Sequence, residues 1–378
     1  MVAPEESAAP AGATALPSWL GWDDAWAEEY AQVDGSAICR RLRELCGPAE
    51  PARVIRADRS HVELLAAGGP ARSTWGADLL AEATADPTEA PTTGDFVWLQ
   101  HWADGRSTVE RVLPRRTAIV RASSSGRSQG QVLAANMDAV AVVESLVPEP
   151  QVARMERLLT LAWDSGATPL VVLTKADLCD DGDEVAADLA VRAAPGVEVY
   201  VASAPTGAGL EPLADLCSSG RSVALVGGSG AGKSTLLNAL VGAELMATNH
   251  LATFGKGRHT TVTRELHRSQ WGGAVIDTPG LRGVGLLDSG GLAAVFPEVE
   301  ELAALCRFAD CGHDTEPGCA VQAAVEAGDL PEARLERWRK LQREAEWVAS
   351  RTDARLRKAR QQEWKIIHKS VRAGRIRP

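Results

Sequence analysis

The octapeptide Gly227-Gly228-Ser229-Gly230-Ala231-Gly232-Lys233-Ser234 lies between two apolar runs of different character. Before it, Val223-Ala224-Leu225-Val226 reads as a short buried strand; after it, Thr235-Leu236-Leu237-Asn238-Ala239-Leu240 reads as the opening of a helix. Strand, glycine-rich loop and helix form the context that a G-x-x-x-x-G-K-[ST] match requires. Glycines let successive backbone N–H groups turn inward around phosphate oxygens, and the helix N-terminus adds partial positive charge. Lys233 is then placed to reach the β- and γ-phosphates, and the Ser234 hydroxyl to sit on Mg²⁺. The chain is expected to bind a nucleoside triphosphate. The competing reading, a glycine-rich turn with a chance lysine, fits the flanking pattern poorly.

Around this loop stands a chain of 378 residues, 45% apolar and 24% charged, long enough for two or three domains. The net charge of −10 argues against indiscriminate nucleic-acid binding, but it is unevenly spread. Residues 1–36 hold seven acidic groups and no lysine or arginine. Residues 331–378 hold fifteen basic and six acidic groups, hence +9 against −19 for the remainder. Such a segment is either a contact for an anionic partner or a solvated helix face. No run of 18 apolar residues suggests a membrane span, and the acidic N-terminus is not that of a secretory signal. Seven cysteines do not suggest a disulfide framework, so a cytoplasmic location is expected.

In chain order, residues 1–17 are rich in Ala, Pro and Glu and are expected to be disordered. Trp19, Trp22 and Trp26 follow at helical spacing, as a core-facing stripe or, less simply, a partner-binding helix. Period-two runs at 53–56, 61–65, 95–99 and 108–113, punctuated by Gly68-Gly69-Pro70, Pro91-Thr92-Thr93-Gly94 and Asp104-Gly105, suggest a small barrel with an OB-fold as first choice. Arg115, Arg116 and Arg121 form a modest basic cluster at its end, and Ser123-Ser124-Ser125-Gly126 reads as a flexible loop. Apolar strands at 139–143, 170–173, 197–201, 223–226 and 273–276 then alternate with helices, the pattern of a parallel sheet covered on both faces. A basic helix is expected from about Pro331, with Trp338, Leu341, Ala345 and Val348 as its apolar stripe. The expected boundaries are an extension at 1–48, a barrel at 49–122, a nucleotide domain at 131–292 and a helical, metal-binding part at 293–378.

Thr174-Lys175-Ala176-Asp177 bears on which base is read. A carboxylate at Asp177 can accept from both the ring N–H and the exocyclic amine of guanine, a donor pair that adenine lacks. The Lys175 stem can lie across the base, and a backbone N–H at Ser203-Ala204 can meet the guanine carbonyl. On its own T-K-A-D is equally a surface turn; beside a P-loop it reads as a guanine pocket. Asp277-Thr278-Pro279-Gly280 offers a carboxylate for Mg²⁺ and the Gly280 N–H for the γ-phosphate. Of His259-Thr260-Thr261, Thr261 is the preferred threonine to complete the Mg²⁺ shell. The nucleotide-contact set is thus Thr174, Lys175, Asp177, Ser203, Ala204 and every residue from Gly227 to Thr235.

Cys306-x4-Cys311-x-His313-x5-Cys319 supplies three thiolates and one imidazole, a set that suits tetrahedral Zn²⁺ and leaves no open position. That site is expected to be structural. Cys39, Cys46, Cys179 and Cys217 have no such pattern.

The motif order is unusual: base-reading elements precede the P-loop, the switch threonine and Asp277. Together with the strand-rich segment before and the Cys/His cluster after, residues 50–345 resemble the ribosome-small-subunit-dependent GTPase family, RsgA, also called YjeQ. The resemblance implies an OB-fold, a circularly permuted GTPase domain and a zinc-binding domain. It also implies late action in small (30S) ribosomal subunit maturation, contact with 16S rRNA, subunit-stimulated GTP hydrolysis and a monomer. Two positions depart from common GTPase patterns: Thr174 stands where asparagine is usual, and Leu281 where many keep a water-positioning glutamine. Lys233, His259, Thr261 and Gly280 are the expected catalytic residues, His259 as the group that orients water. A transporter-type ATPase lacks its L-S-G-G-Q signature here. A ribosome- or rRNA-binding scaffold with a slow or inactive site is the alternative.

Overall fold

The structure, a computed structural model, describes residues 16–58, 61–122, 130–242, 264–278 and 290–352. The expected disorder of residues 1–17 and the loop at Ser123–Gly126 fall outside them, Leu16 and Pro17 excepted.

The chain enters through a single 3-10 turn, Ser18–Leu20, and two helices, α1 (Asp24–Asp34) and α2 (Ala37–Cys46). Asp23 and Ser36 cap these helices by accepting from Trp26 N and Cys39 N. The three tryptophans do not share one helix, because Gly21 adopts a left-handed conformation between Trp19 and Trp26 and ends the first turn. Trp26 alone is fully buried, tilted against Phe96 with ring centroids 4.5 Å apart.

Five strands then close into a barrel: β1 (Ala49–Ala57), β2 (Val62–Ala66), β3 (Gly69–Trp75), β4 (Phe96–His101) and β5 (Ser107–Val112). Their order is β1-β2-β3-β5-β4, and β4 pairs back onto β1, the topology of an OB-fold. Ala52, Val54, Val62, Leu64, Val97, Leu99 and Val109 fill the interior at alternate positions. Sequence periodicity misses β3, whose Gly69 and Pro70 read as turn chemistry, and the helix α3 (Ala77–Ala85) that follows. The arginines after the barrel are not an open basic cluster. Arg115 forks onto buried Asp95, Arg116 pairs with Asp23 and lies 3.9 Å from the Trp26 ring centroid, and Arg121 donates to Gln131.

A two-stranded ribbon, β6 (Ala118–Ala122) and β7 (Gly130–Ala135), leads into β8 (Ala139–Ser145), α4 (Val152–Asp164), β9 (Thr168–Thr174), α5 (Gly182–Arg192), β10 (Glu198–Val201), α6 (Glu211–Leu216), β11 (Ser222–Gly227) and α7 (Lys233–Val241). β12 (Glu265–Arg268) and β13 (Ala274–Asp277) complete the sheet in the order β10-β9-β8-β11-β13-β12. The first five are parallel; β12, an edge strand, is antiparallel to β13. Side chains alternate as strand geometry demands. Val140, Val142, Ala224 and Val226 face α4 and α5, whereas Ala139, Ala141, Val143, Val223 and Leu225 face α6 and α7.

α8 (Gly290–Val295), α9 (Pro297–Ala303), α10 (Ala320–Ala327) and α11 (Glu332–Thr352) follow. Trp338, Leu341, Ala345 and Val348 are all buried, as the period predicts. Fully buried Glu156 on α4 receives both Arg334 and Arg337 of α11, each at 2.7 Å, and Arg157 pairs with Glu344. At the opposite border, buried Arg53 of β1 donates to Gly94 O, Leu20 O, Ser222 Oγ and Asn136 O, tying the barrel to the sheet. Among the described residues no helix is long and apolar enough to cross a membrane.

Candidate nucleotide and metal sites

The loop from Gly227 to Ser234 runs from the end of β11 into α7, at the C-terminal edge of the parallel strands, where open α/β sheets receive ligands. Glycine is needed there for specific reasons. A Cβ on Gly227 would lie 2.3 Å from Val143 O on the neighbouring strand. Gly232 has φ +86°, and its Cβ would meet Thr174 Oγ1 at 2.8 Å. Lys233 Nζ donates to Gly227 O at 2.9 Å and Gly228 O at 2.8 Å, so the ammonium stands at the loop's mouth. Ser234 and Thr235 are exposed at the start of α7.

Thr174 ties the end of β9 to the phosphate loop. Its hydroxyl, itself buried, donates to Ala231 O at 2.7 Å. The next residue, Lys175, takes the left-handed conformation (φ 64°), and its ammonium donates to Val147 O at 2.7 Å. Asp177, exposed on the following turn, accepts from Ser203 Oγ at 2.7 Å. The two base-reading segments are thereby brought together, with Ala204 beside them in sequence after β10.

Asp277 ends β13 next to the loop. Burial pushes its carboxyl above the usual range, opposed by the Lys233 and His267 charges and reinforced by Glu265. A cation beside it would offset that penalty, and Asp277 and Ser234 carry oxygen atoms of the kind a hard divalent ion takes. Thr278, fully buried, donates to Leu225 O at 2.6 Å and fixes the strand's exit. His259, Thr261, Gly280 and Leu281 lie outside the described residues.

Cys306, Cys311, His313 and Cys319 converge on the loop between α9 and α10, their ligand atoms all within 4.8 Å of one another. Cys306 Sγ and Cys319 Sγ are 3.8 Å apart, and His313 Nδ1 is 3.5 Å from each. A tetrahedral ion with metal–sulfur and metal–nitrogen bonds of about 2.3 and about 2.05 Å requires edges of about 3.8 and about 3.5 Å. The residues present fit such an ion. The His313 carbonyl accepts from Gln322 Nε2 and from Arg339, and its ring lies edge-on to Trp338.

Two features here escape sequence reasoning: the Arg154–Glu144 pair beside the loop, and the Glu156 pairing with α11. Their signal was a lone acid in an otherwise apolar strand and another on the buried face of a helix.

Fold and site define a P-loop nucleotide-binding protein with the base-reading strands placed before the phosphate-binding one, a circularly permuted arrangement. Residues 112–287 match the model of the RsgA GTPase family. The small ribosomal subunit biogenesis GTPase RsgA of Streptomyces coelicolor is 48% identical over 93% of this chain and 92% of its own. That of Opitutus terrae is 40% identical over 94% and 97%. The crystal structure of YjeQ from Thermotoga maritima superposes with a TM-score of 0.58 at 26% identity, over 79% of this chain and 99% of that one. YloQ, a circularly permuted GTPase, shares the fold at 24% identity and a TM-score of 0.54, over 79% and 95%. The chain belongs to the RsgA GTPase family.

Proposed function

We propose that this protein hydrolyses GTP to GDP and phosphate as a late assembly factor of the small (30S) ribosomal subunit, which stimulates the reaction and is released by it. The observation that carries this reading is Asp177 held by Ser203 beside a P-loop, in a chain 48% identical over 93% of its length to a small-subunit biogenesis GTPase. Asp177 reads the guanine N–H pair, Lys175 covers the base and the Ala204 N–H meets its carbonyl oxygen. Backbone N–H groups of Gly227 to Ser234 cradle the phosphates, and Lys233 turns from its own loop carbonyls to the β- and γ-oxygens. Ser234, Asp277 and Thr261 would hold Mg²⁺, which when bound spreads the charge of the β- and γ-oxygens. Gly280 donates to the γ-phosphate, and His259 orients the attacking water. The four Cys/His ligands would hold one structural Zn²⁺.

The barrel and the +9 C-terminal segment contact 16S rRNA through its phosphates, so binding weakens with salt. The protein acts as a cytoplasmic monomer, divided near residues 48, 122, 131 and 292. Sedimentation with purified small subunits tests the partner: co-sedimentation with a non-hydrolysable GTP analogue and release with GDP is the expected result. Equal binding to large subunits, or none to small ones, would overturn it.

A further inference from the structure

Arg154, in the first turn of α4, packs its guanidinium on the phosphate loop. A Cβ on Gly228 would meet Arg154 Cζ at 2.6 Å, Nη1 at 2.8 Å and Nε at 2.9 Å, so the planar group lies directly over that residue. Nε and Nη2 fork onto Glu144, Nε at 2.7 Å. The fork uses one edge of the guanidinium and leaves the other, Nη1, without a hydrogen-bond partner among the described residues. Lys233 Nζ donates to the carbonyl of the same Gly228, so the two cations flank one peptide of the loop.

Stability alone does not account for this pair. The Glu144 side chain is 1% exposed while that of Arg154 is 39% exposed. A buried carboxylate must be compensated, and an apolar pair of similar size serves a fold as well or better. What the buried acid achieves is a fixed direction for the arginine, since a bidentate fork sets both its plane and its free edge. Glu144 is also the strand position whose carbonyl lies 3.3 Å from Thr174 Oγ1, the hydroxyl that ties Ala231. Glu144 thus anchors Arg154 at Gly228, while its strand runs beside the Thr174 tie to Ala231, and the two clamps stand on either side of Ser229-Gly230, the tip of the loop.

We propose that Arg154 is a catalytic residue supplied by the chain itself, whose Nη1 edge stabilises the negative charge on the terminal phosphate during hydrolysis, with Glu144 as its positioning residue. The proposal rests on the GTPase reading. No bond is made or broken by Arg154; it adds positive charge where the transferring group is most negative, a term that acts on GTP turnover and not on GDP binding.

The test is single-turnover hydrolysis and fluorescent-nucleotide binding by the full chain and its Arg154→Ala, Arg154→Lys and Glu144→Gln variants. Arg154→Ala is expected to lower kcat on the order of tenfold to a hundredfold while GDP affinity stays within about twofold. Arg154→Lys, which keeps charge but not the fork, should fall between it and the parent. Glu144→Gln should lower kcat less than Arg154→Ala. An equal loss of GDP and GTP affinity at constant kcat would make Arg154 a structural brace and overturn the proposal, as would parent-like turnover of Arg154→Ala. If the parent chain hydrolyses no GTP, the GTPase reading falls and the proposal with it, so the two failures are told apart.

Discussion

The phosphate loop and the Cys/His loop are both short turns that lead into a helix, and they keep their shapes by opposite means. The first is held by the chain alone: Gly227 is paired with Val143 in the parallel ladder, Thr174 ties Ala231, and Lys233 bonds its own loop. The second contains no strand. Glu316 accepts from Gly312 N, Asp314 N and Thr315 N, Arg339 and Gln322 reach the His313 carbonyl, and beyond that four ligand atoms converge. One loop is preorganised for a ligand that comes and goes. The other converges four ligand atoms that could hold an ion, which on the proposed reading is what keeps it folded.

The largest difference between the two loops is expected from Lys233→Ala. It should cut GTP turnover by about 10³-fold or more while melting temperature changes little, because the ladder still holds the loop. Phosphate release beside a thermal melt checks both halves. Metal removal should do the reverse. Chelation, or Cys311→Ser, is expected to expose amides from 304 to 322 to hydrogen exchange and quench the order around Trp338, with GDP affinity unchanged within about twofold. Loss of GDP binding on chelation would mean the two loops are not independent.

Between them lies the α4–α11 contact. Glu156→Ala leaves Arg334, whose side chain is 4% exposed, with Glu298 as its remaining acid and should destabilise by about 1.5–3 kcal/mol in denaturant titration. Next in size, Asp177→Asn should weaken GTP binding by about a hundredfold, roughly the worth of one charge-assisted pair, and leave the melt unmoved. The smallest effect tests the substituted tie: Thr174→Val should cost about 1 kcal/mol of stability, whereas Thr174→Asn should be nearly neutral.

What was readable in the sequence divides along similar lines. The loop, the guanine motif and the Cys/His spacing are local patterns, so their residues name their own chemistry. The sheet came from apolar runs, and α11 from its stripe of Trp338, Leu341, Ala345 and Val348. Contacts between distant segments left at most a lone acid on an apolar face as their trace, and never the identity of the partner. Nothing near Arg115 says that it will fork onto Asp95, and nothing near Glu156 announces Arg334, 178 positions away. Strand β3 was hidden because its Pro and Gly occur at its first positions, where a strand tolerates them. Thr174, which stands where asparagine is usual, gave no sign of its partner. Its hydroxyl reaches the Ala231 carbonyl at 2.7 Å.

Nucleotide hydrolysis by the purified protein, with GTP and ATP in parallel, with and without small ribosomal subunits, decides whether the chain is a subunit-dependent GTPase. A rate that rises many-fold with subunits, for GTP alone, is the result predicted. GTP turnover indifferent to subunits would contradict the assembly role, and comparable turnover of ATP would contradict the reading of Asp177.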